Sequence, residues 1–209
     1  TGSDEAVDCI NCAVGTSMDV TGSDEASDCI DCAAGTYVST TGSDEADDCI
    51  DCGAGKYGAG GAACIDCAAA KYGTTSGQAT EDAACISCAA GSVTGTAGTG
   101  ATSCTQCTAG KYATASDLEI CTDCAAAKYG TANGQATEGS ACISCAAGSV
   151  TGTAGTGATS CTQCTAGKYA TVSNLASCDD CAAGKSSAAG SDEDGDCIDC
   201  GAGPYGAGG

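Results

Sequence analysis

Cys104-Thr-Gln-Cys107-Thr-Ala-Gly110-Lys111-Tyr112 is one copy of a motif that the whole chain repeats with variations. The motif Cys-x-x-Cys-x-x-Gly-x-Tyr occurs in eleven copies separated by spacers, and these copies account for all 22 cysteines. Internal repetition of this kind predicts a repeated structure rather than a single globular core. The first cysteines of the copies are Cys9, Cys29, Cys49, Cys64, Cys85, Cys104, Cys121, Cys142, Cys161, Cys178 and Cys197.

The other scarce residues follow the same frame. Every tyrosine stands five positions after a second Cys, and every lysine stands one position before that place. We expect the rings to pack over a neighbouring disulfide or a junction between copies rather than to bind a ligand. The tyrosines are Tyr37, Tyr57, Tyr72, Tyr112, Tyr129, Tyr169 and Tyr205.

The third residue after each cysteine pair, called here the turn residue, is Gly in nine copies and Ala in two, Ala70 and Ala127. Glycine at this place predicts a backbone turn with positive φ. The two alanines predict that this turn is not required in every copy.

The composition provides no conventional hydrophobic core. The 43% hydrophobic share is largely Ala and Cys; Phe, Trp, His and Arg are absent. Chains without large apolar side chains stay disordered unless cross-links reduce the entropy of the unfolded chain. Cross-linking through cysteine is therefore expected to hold this chain together.

Two kinds of cross-link fit the spacing. Pairs of Cys-x-x-Cys some 15 to 20 residues apart also form four-thiolate zinc sites. Three features favour disulfides: no His is present, eleven pairs do not divide into whole four-cysteine sites, and the pairs form one unbroken series. A redox-active thioredoxin-like pair would need a strand and helix that the sequence does not suggest. Disulfides would place the chain in an oxidising compartment, extracellular or at the cell surface.

The formal net charge of −21 disfavours nucleic acid and anionic membranes as partners. No apolar run is long enough to span a bilayer. Without His or Arg, and with carboxylates confined to flexible spacers, no catalytic residues and no cofactor are predicted. The chain begins and ends inside spacers, and we expect it to be a segment of a longer repetitive polypeptide.

The organisation is that of an array. Residues 1–48 contain regular 20-residue repeats, and 49–63 form a short Gly-rich repeat. A three-unit block spans 64–120, and 121–177 duplicate it with nine differences in 57 positions. Terminal repeats occupy 178–209. No helical periodicity is present, so we expect short strands around the Tyr position and before the next Cys, with no helix longer than one turn.

The segment Cys32-Ala-Ala-Gly-Thr-Tyr37 and its equivalents resemble the ephrin-receptor-like cysteine-rich repeat, which is related in style to the tumour-necrosis-factor-receptor module. Proline commonly follows the second Cys in those families, whereas Ala, Gly or Thr stands there in this chain. Comparable arrays occur in protist surface antigens and in extracellular filaments such as flagellar mastigonemes. The implied fold is an elongated rod of small disulfide-rich repeats, made of short β-hairpins and loops with almost no helix.

The resemblance also implies a disulfide pairing, in which the second Cys of each copy bonds to the first Cys of the next. Cys9 and Cys200 would then find partners in a continuation of the chain. The implied pairs are Cys12–Cys29, Cys32–Cys49, Cys52–Cys64, Cys67–Cys85, Cys88–Cys104, Cys107–Cys121, Cys124–Cys142, Cys145–Cys161, Cys164–Cys178 and Cys181–Cys197.

Two further kinds of site are weighed against simpler interpretations. The acidic spacers at Asp4, Asp44 and Asp192 could hold calcium weakly, but they lack EF-hand spacing, and solvated acidic turns are the simpler interpretation. No Asn-x-Ser/Thr sequon exists, so glycans would be O-linked. The candidate acceptors are Thr94, Thr96, Thr99, Thr151, Thr153 and Thr156.

The leading functional hypothesis is a structural extracellular protein that forms or coats a surface filament, with self-assembly or other filament subunits as partners. Its basis is the near identity of the units. The alternative is a binding module, the ectodomain of a receptor or surface antigen. A third hypothesis, thiol-rich metal storage, predicts bound metal and no disulfides.

Overall fold

A computed structural model of the protein describes residues 11–18, 25–95, 98–152 and 155–201. These residues form two-stranded hairpins joined by loops, with ten disulfides in regular order and two α-helices of four residues each. The predicted class of small disulfide-rich repeats with almost no helix is confirmed. Predictions that concern Asp4, Cys9, Thr96, Thr153 and Tyr205 lie outside the described residues.

Each hairpin joins the segment around the Tyr position of one copy to the two residues between the cysteines of the next copy. All strands have two residues. In chain order they are β1 (Thr16–Ser17), β2 (Ile30–Asp31), β3 (Thr36–Tyr37), β4 (Ile50–Asp51), β5 (Lys56–Tyr57), β6 (Ile65–Asp66), β7 (Lys71–Tyr72), β8 (Ile86–Ser87), β9 (Ser92–Val93), β10 (Thr105–Gln106), β11 (Lys111–Tyr112), β12 (Thr122–Asp123), β13 (Lys128–Tyr129), β14 (Ile143–Ser144), β15 (Ser149–Val150), β16 (Thr162–Gln163), β17 (Lys168–Tyr169), β18 (Asp179–Asp180), β19 (Lys185–Ser186) and β20 (Ile198–Asp199).

The prediction of a strand before the next Cys is wrong. The second strand of each hairpin lies between the two cysteines, and in several copies the residues before the first Cys form one helical turn. In α1 (Glu81–Ala84) the N–H of Cys85 donates to the Glu81 carbonyl oxygen at 2.8 Å, and α2 (Glu138–Ala141) is its counterpart. Acidic side chains in the first turn favour such a helix start. Turns of 3-10 helix occupy Ala26–Asp28, Ala46–Asp48 and Asp194–Asp196.

A backbone hydrogen bond ties each copy to the next. The N–H of the second Cys donates to the carbonyl oxygen of the turn residue in the preceding copy, as from Cys52 to Gly35 at 2.8 Å and from Cys124 to Gly110 at 2.8 Å. The same bond runs from Cys88 to Ala70 at 3.3 Å. Because the bond uses only main-chain groups, it tolerates the variation of side chains between copies.

The turn residue has positive φ at every described copy, including both alanines. Gly35 has φ 91°, and Ala70 and Ala127 have φ 68° and 69°. The prediction that alanine relaxes the turn is therefore wrong. The same hairpin geometry must form on either side, so the backbone adopts a conformation that costs an L-residue roughly 1–2 kcal/mol.

A second set of positive-φ residues lies in the spacers. Seven of them donate their N–H to the carbonyl oxygen of the second Cys in the preceding copy, for example Gly77 to Cys52 at 2.8 Å and Gly157 to Cys124 at 2.8 Å. Asn174 takes this role towards Cys145 at 3.0 Å, in keeping with the tolerance of Asn for this conformation. The seven are Gly42, Gly77, Gly100, Gly134, Gly157, Asn174 and Gly190.

These spacer residues also touch the turn residue two copies back. A Cβ added to Gly35 would lie 2.3 Å from the Gly77 carbonyl oxygen, and one added to Gly148 would lie 2.3 Å from that of Gly190. Contacts therefore reach the next-but-one copy as well as the adjacent one, because glycine backbones can approach so closely.

Cysteine sulfur takes the place of a hydrophobic core. Eight second cysteines are fully buried. Small apolar residues such as Ala113 and Val93 are buried as well, and Val150 and Ala170 form a cluster with Cys164. Two compact units divide the chain: Thr1–Ala89 with Val93–Thr105 and Ser116–Ile120, and Ala90–Ser92 with Gln106–Ala115 and Cys121–Gly209. Each unit is built from the same hairpins.

Candidate functional site

The disulfides are the most regular feature of the chain. They join the second Cys of one copy to the first Cys of the next, over sequence separations of 12 to 18 residues. The ten pairs are the same as those implied by the resemblance. Cys200 is exposed and has no disulfide partner in the described part of the chain.

The tyrosine rings cover disulfides where their packing is resolved. Tyr57 packs against Cys67, Ala84 and Cys85, and Cys67 and Cys85 form the disulfide of the following copy. Tyr112 packs in the same way against the Cys124–Cys142 disulfide and Ala141. In these two copies the ring therefore packs over the cross-link of the next copy.

Tyr169 differs in its electrostatic surroundings. Partial burial raises the pKa of its phenol above the ordinary value, and the nearby carboxylates of Asp194 and Asp179 raise this pKa further. The neutral phenol is therefore the form that the folded chain favours.

A charge pair was not predicted from the sequence, although the position of the lysines could have indicated it once the hairpin register was known. Lys56 lies across from Asp66 and forms an ion pair with it, as does Lys111 with Asp123 and Lys168 with Asp180. The hydrogen bond from Lys56 lowers the pKa of Asp66, and burial partly opposes that effect.

Two lysines face a serine across the hairpin and form an ion pair with a glutamate from a helical turn instead. Lys71 lies across from Ser87 and instead pairs with Glu81 of α1 at 2.7 Å, an interaction that raises the pKa of Lys71. Lys128, across from Ser144, pairs with Glu138 of α2 at 2.7 Å. Where Ser149 replaces Lys, the residue across from it is the neutral Gln163.

In two hairpins a carboxylate faces a residue that carries no positive charge. In β1–β2, Thr16 lies across from Asp31, and in β3–β4, Thr36 lies across from Asp51. Within the described ranges neither carboxylate has an ion-pair or hydrogen-bond partner. Both remain exposed charges without a lysine.

Isoleucine is found on the surface rather than in the interior. Ile30 and Ile50 are 51% and 52% exposed, and each lies across from the Tyr-position residue of the preceding copy, Ser17 and Tyr37. The other described isoleucines are also exposed, namely Ile65, Ile86, Ile120, Ile143 and Ile198. A chain so poor in large apolar residues leaves these at its surface.

Hollows adjoin the two uncompensated hairpins. One of about 280 Å³ is lined by Ile30, Asp31, Ala33, Ala46 and Cys49 together with Ser17, Cys32 and Thr36. Another of about 480 Å³ is lined by Tyr37, Ser39, Asp51, Gly53, Lys56, Ala62, Ala63 and Cys64. The first hollow contains one carboxylate, Asp31. The second contains Asp51 together with Lys56, and the Lys56 ammonium is already paired with Asp66.

A larger hollow of about 770 Å³ lies over β15 and β16. Its lining consists mainly of neutral hydroxyl and amide side chains, including Thr159, Ser160, Thr162 and Gln163. Its one charged residue, Lys168, is already paired with Asp180.

The candidate calcium residues take part in local turns. The N–H of Asp44 donates to Asp48 Oδ2 at 3.2 Å, and the N–H of Asp192 donates to Asp196 Oδ2 at 3.1 Å. Among the described residues, no group of three or more His, Cys, Asp or Glu is placed to hold a metal ion. The carboxylates of Asp48 and Asp196 serve the spacer backbone instead.

The candidate glycan acceptors divide by burial. Thr94 and Thr151 are buried, and the Thr151 Oγ1 accepts from the N–H of the turn residue Ala127 at 3.1 Å. The prediction of O-linked glycans at Thr94 and Thr151 is therefore wrong for the folded chain, because both residues are buried. Thr99 and Thr156 are exposed and donate to Asp66 at 3.3 Å and Asp123 at 3.4 Å, so O-linkage there stays a prediction.

Neither of the searches for related proteins identified this chain: no family model matches it, and no significant match was found among curated proteins. In the described parts of the chain, none of the helices has the length and apolar character needed to cross a membrane.

Proposed function

We propose that the protein is a structural component of an extracellular filament or surface coat. The observation that carries this proposal is the repeated backbone connection between copies, in which the second Cys donates to the preceding turn residue and its sulfur bonds to the following copy. An array joined in this way extends by adding copies, because each copy presents the same main-chain groups to the next.

The cross-links suit such a role. Each closed loop is worth about 3 kcal/mol in the chain-entropy model, before strain is counted. Disulfides persist in oxidising surroundings, which supports a place outside the cell. The ephrin-receptor-like resemblance remains part of this proposal and rests on the spacing of the motif.

The proposal is tested by locating the protein on intact, non-permeabilised cells. Antibodies against the spacer 113–120, labelled with gold, should decorate extracellular fibres or a surface layer in electron micrographs. Labelling only after permeabilisation, in the cytosol, would contradict it.

A second candidate, a binding module, is favoured by one observation: in the hairpins β1–β2 and β3–β4 an aspartate faces a threonine instead of a lysine, and each aspartate lines a hollow. The two candidates are compatible if the structural array binds a partner at these hairpins.

A further inference from the structure

The charge pattern of the hairpins differs between the first copies and the later copies. At the place before the Tyr position, Lys56, Lys111 and Lys168 each meet a carboxylate across the hairpin, and Lys71 and Lys128 each meet a Glu from a helical turn. Where the lysine is absent in the later copies, as at Ser149, the opposite residue is neutral. The chain therefore matches charges across this position in its later copies.

Asp31 and Asp51 lack that match. Each faces a threonine, Thr16 or Thr36, and the other charged groups of this region are acidic except Lys56, which is paired with Asp66. A cation from outside the chain would restore at these two hairpins the pairing that the others make internally.

The same residues line apolar hollows. Ile30 and Asp31 both line the hollow of about 280 Å³, which Ala33, Ala46 and Cys49 complete. Asp51 lines the next one with Tyr37, Ala62 and Lys56, and Lys56 is engaged with Asp66 rather than with Asp51. A partner therefore meets a carboxylate and an apolar depression together on each of two successive hairpins.

We propose that hairpins β1–β2 and β3–β4 form a docking surface for a basic segment of another polypeptide. Its Lys or Arg side chains pair with Asp31 and Asp51, and its apolar side chains enter the two hollows. Charge complementarity selects this occupant, since the residues from 25 to 66 carry nine carboxylates and one lysine.

A second copy of this chain is a poor source of cations. It contains no Arg and only six lysines, of which five are in ion pairs and the sixth, Lys185, lies across from Asp199. The partner is therefore a different, basic protein. This inference deepens the proposed function by specifying a partner's chemistry, and its binding test is separate from the location test above.

The experiment uses the oxidised full chain and a fluorescein-labelled peptide of alternating Lys and Leu, with binding followed by fluorescence anisotropy at low ionic strength. The key variant is Thr16→Lys with Thr36→Lys, which gives both hairpins the lysine that the chain carries elsewhere. We expect the affinity to fall about tenfold, because two exposed carboxylates become internally paired and two like charges are added.

The matched control is Ser92→Lys with Ser149→Lys. It adds the same charge at the same hairpin position, and Ser149 faces Gln163 rather than a carboxylate. This control should bind within about twofold of the parent chain. Ile30→Ser, at a residue that lines the first hollow, should weaken binding at least ~threefold, whereas Ile143→Ser, beside Ser144, should not.

Three results would overturn the proposal. If the two double lysine variants lowered the affinity for the peptide equally, the loss would be a general effect of added charge. Equal binding of a Lys–Ser peptide would show that the hollows take no part. Self-association of the parent chain in sedimentation, abolished by Thr16→Lys with Thr36→Lys, would show that a second copy occupies the surface.

Discussion

At the scale of single residues, the smallest side chains control how closely copies approach. Gly35 combines positive φ with a backbone contact to Gly77 that leaves no room for a Cβ. The sequence predicts this turn correctly, because glycine marks positive φ. It could not predict the same conformation at Ala70, because the conformation there is imposed by the hairpin and disulfide on either side.

Replacing Gly35 by Ala tests this close approach. The added Cβ would meet the Gly77 carbonyl oxygen at 2.3 Å and would occupy a left-handed backbone conformation, so we expect a loss of at least ~1–2 kcal/mol. Thermal unfolding of the oxidised protein, followed by circular dichroism, measures the effect.

The control is Gly53→Ala, since a Cβ added to Gly53 would meet no atom within 4 Å and the residue does not have positive φ. This variant should unfold at nearly the parent temperature. Equal effects of the two substitutions would contradict the role assigned to the turn.

Tyr169 provides a second prediction at this scale. Because its pKa is raised, its contribution to stability is present below the ordinary tyrosine pKa and is lost as pH rises through the higher folded value. The ionisation of Tyr169, followed by its tyrosinate absorbance and assigned by comparison with Tyr169→Phe, should occur above the ordinary tyrosine pKa. Asp194→Asn should bring that ionisation to lower pH, and an unchanged titration would disprove the coupling.

At the level of secondary structure, the sequence predicts one strand of each hairpin and misplaces the other. The pattern indicates the strand at the Tyr position, but it places the partner strand before the next Cys instead of between the cysteines. Two-residue strands carry too little periodicity to indicate their register. The register is determined by the bond from the second Cys to the preceding turn residue, a contact between distant residues.

The spacers differ in length because some of them contain a helical turn before the next Cys. The spacer residue that donates to the Cys carbonyl stands four residues before the next Cys at Gly157, seven before it at Gly190 and eight before it at Gly77. The difference is the inserted turn, which is absent, 3-10 (Asp194–Asp196) or α-helical (Glu81–Ala84). Spacers of unequal length can therefore make the same contact.

The pair of Lys56 and Asp66 gives a prediction for the hairpin. The hydrogen bond from Lys56 holds the pKa of Asp66 below its ordinary value, with a smaller lowering from Thr99. The stability that the pair contributes is present above the ordinary carboxyl pKa and is lost as pH falls through the lower folded value.

Lys56→Gln should therefore raise the pKa of Asp66 towards the ordinary value, measured by the pH dependence of its side-chain carboxyl carbon signal in nuclear magnetic resonance. Lys111→Gln, in another hairpin, serves as the control and should leave Asp66 unchanged. A pKa of Asp66 that stays low in Lys56→Gln would exclude this lysine as the cause.

At the scale of the whole molecule, stability comes from many equivalent local contacts. The sequence predicts this arrangement because the cysteines are periodic and large apolar residues are scarce. It does not predict the pairs of lysine with a carboxylate, or the two hairpins in which an aspartate faces a threonine, since both depend on which residues face each other across strands.

Resistance to trypsin follows from the placement of the cleavage sites. The chain has no Arg, and all six lysines lie in two-residue strands flanked by disulfides. Proteases need a locally unfolded segment, so the oxidised protein should survive conditions that cut the reduced and alkylated chain at every lysine. Cleavage of both forms at similar rates, read on reducing gels, would contradict this.

Disulfide mapping of native material by mass spectrometry, after acidic digestion with pepsin and without reduction, tests whether the copies are joined in sequence. We expect cross-linked peptides that join each second Cys to the first Cys of the next copy, such as Cys67 to Cys85 and Cys145 to Cys161. We also expect a gain of two mass units per disulfide on reduction. Free thiols carrying stoichiometric zinc, or links between other cysteines, would contradict a chain held together by sequential disulfides.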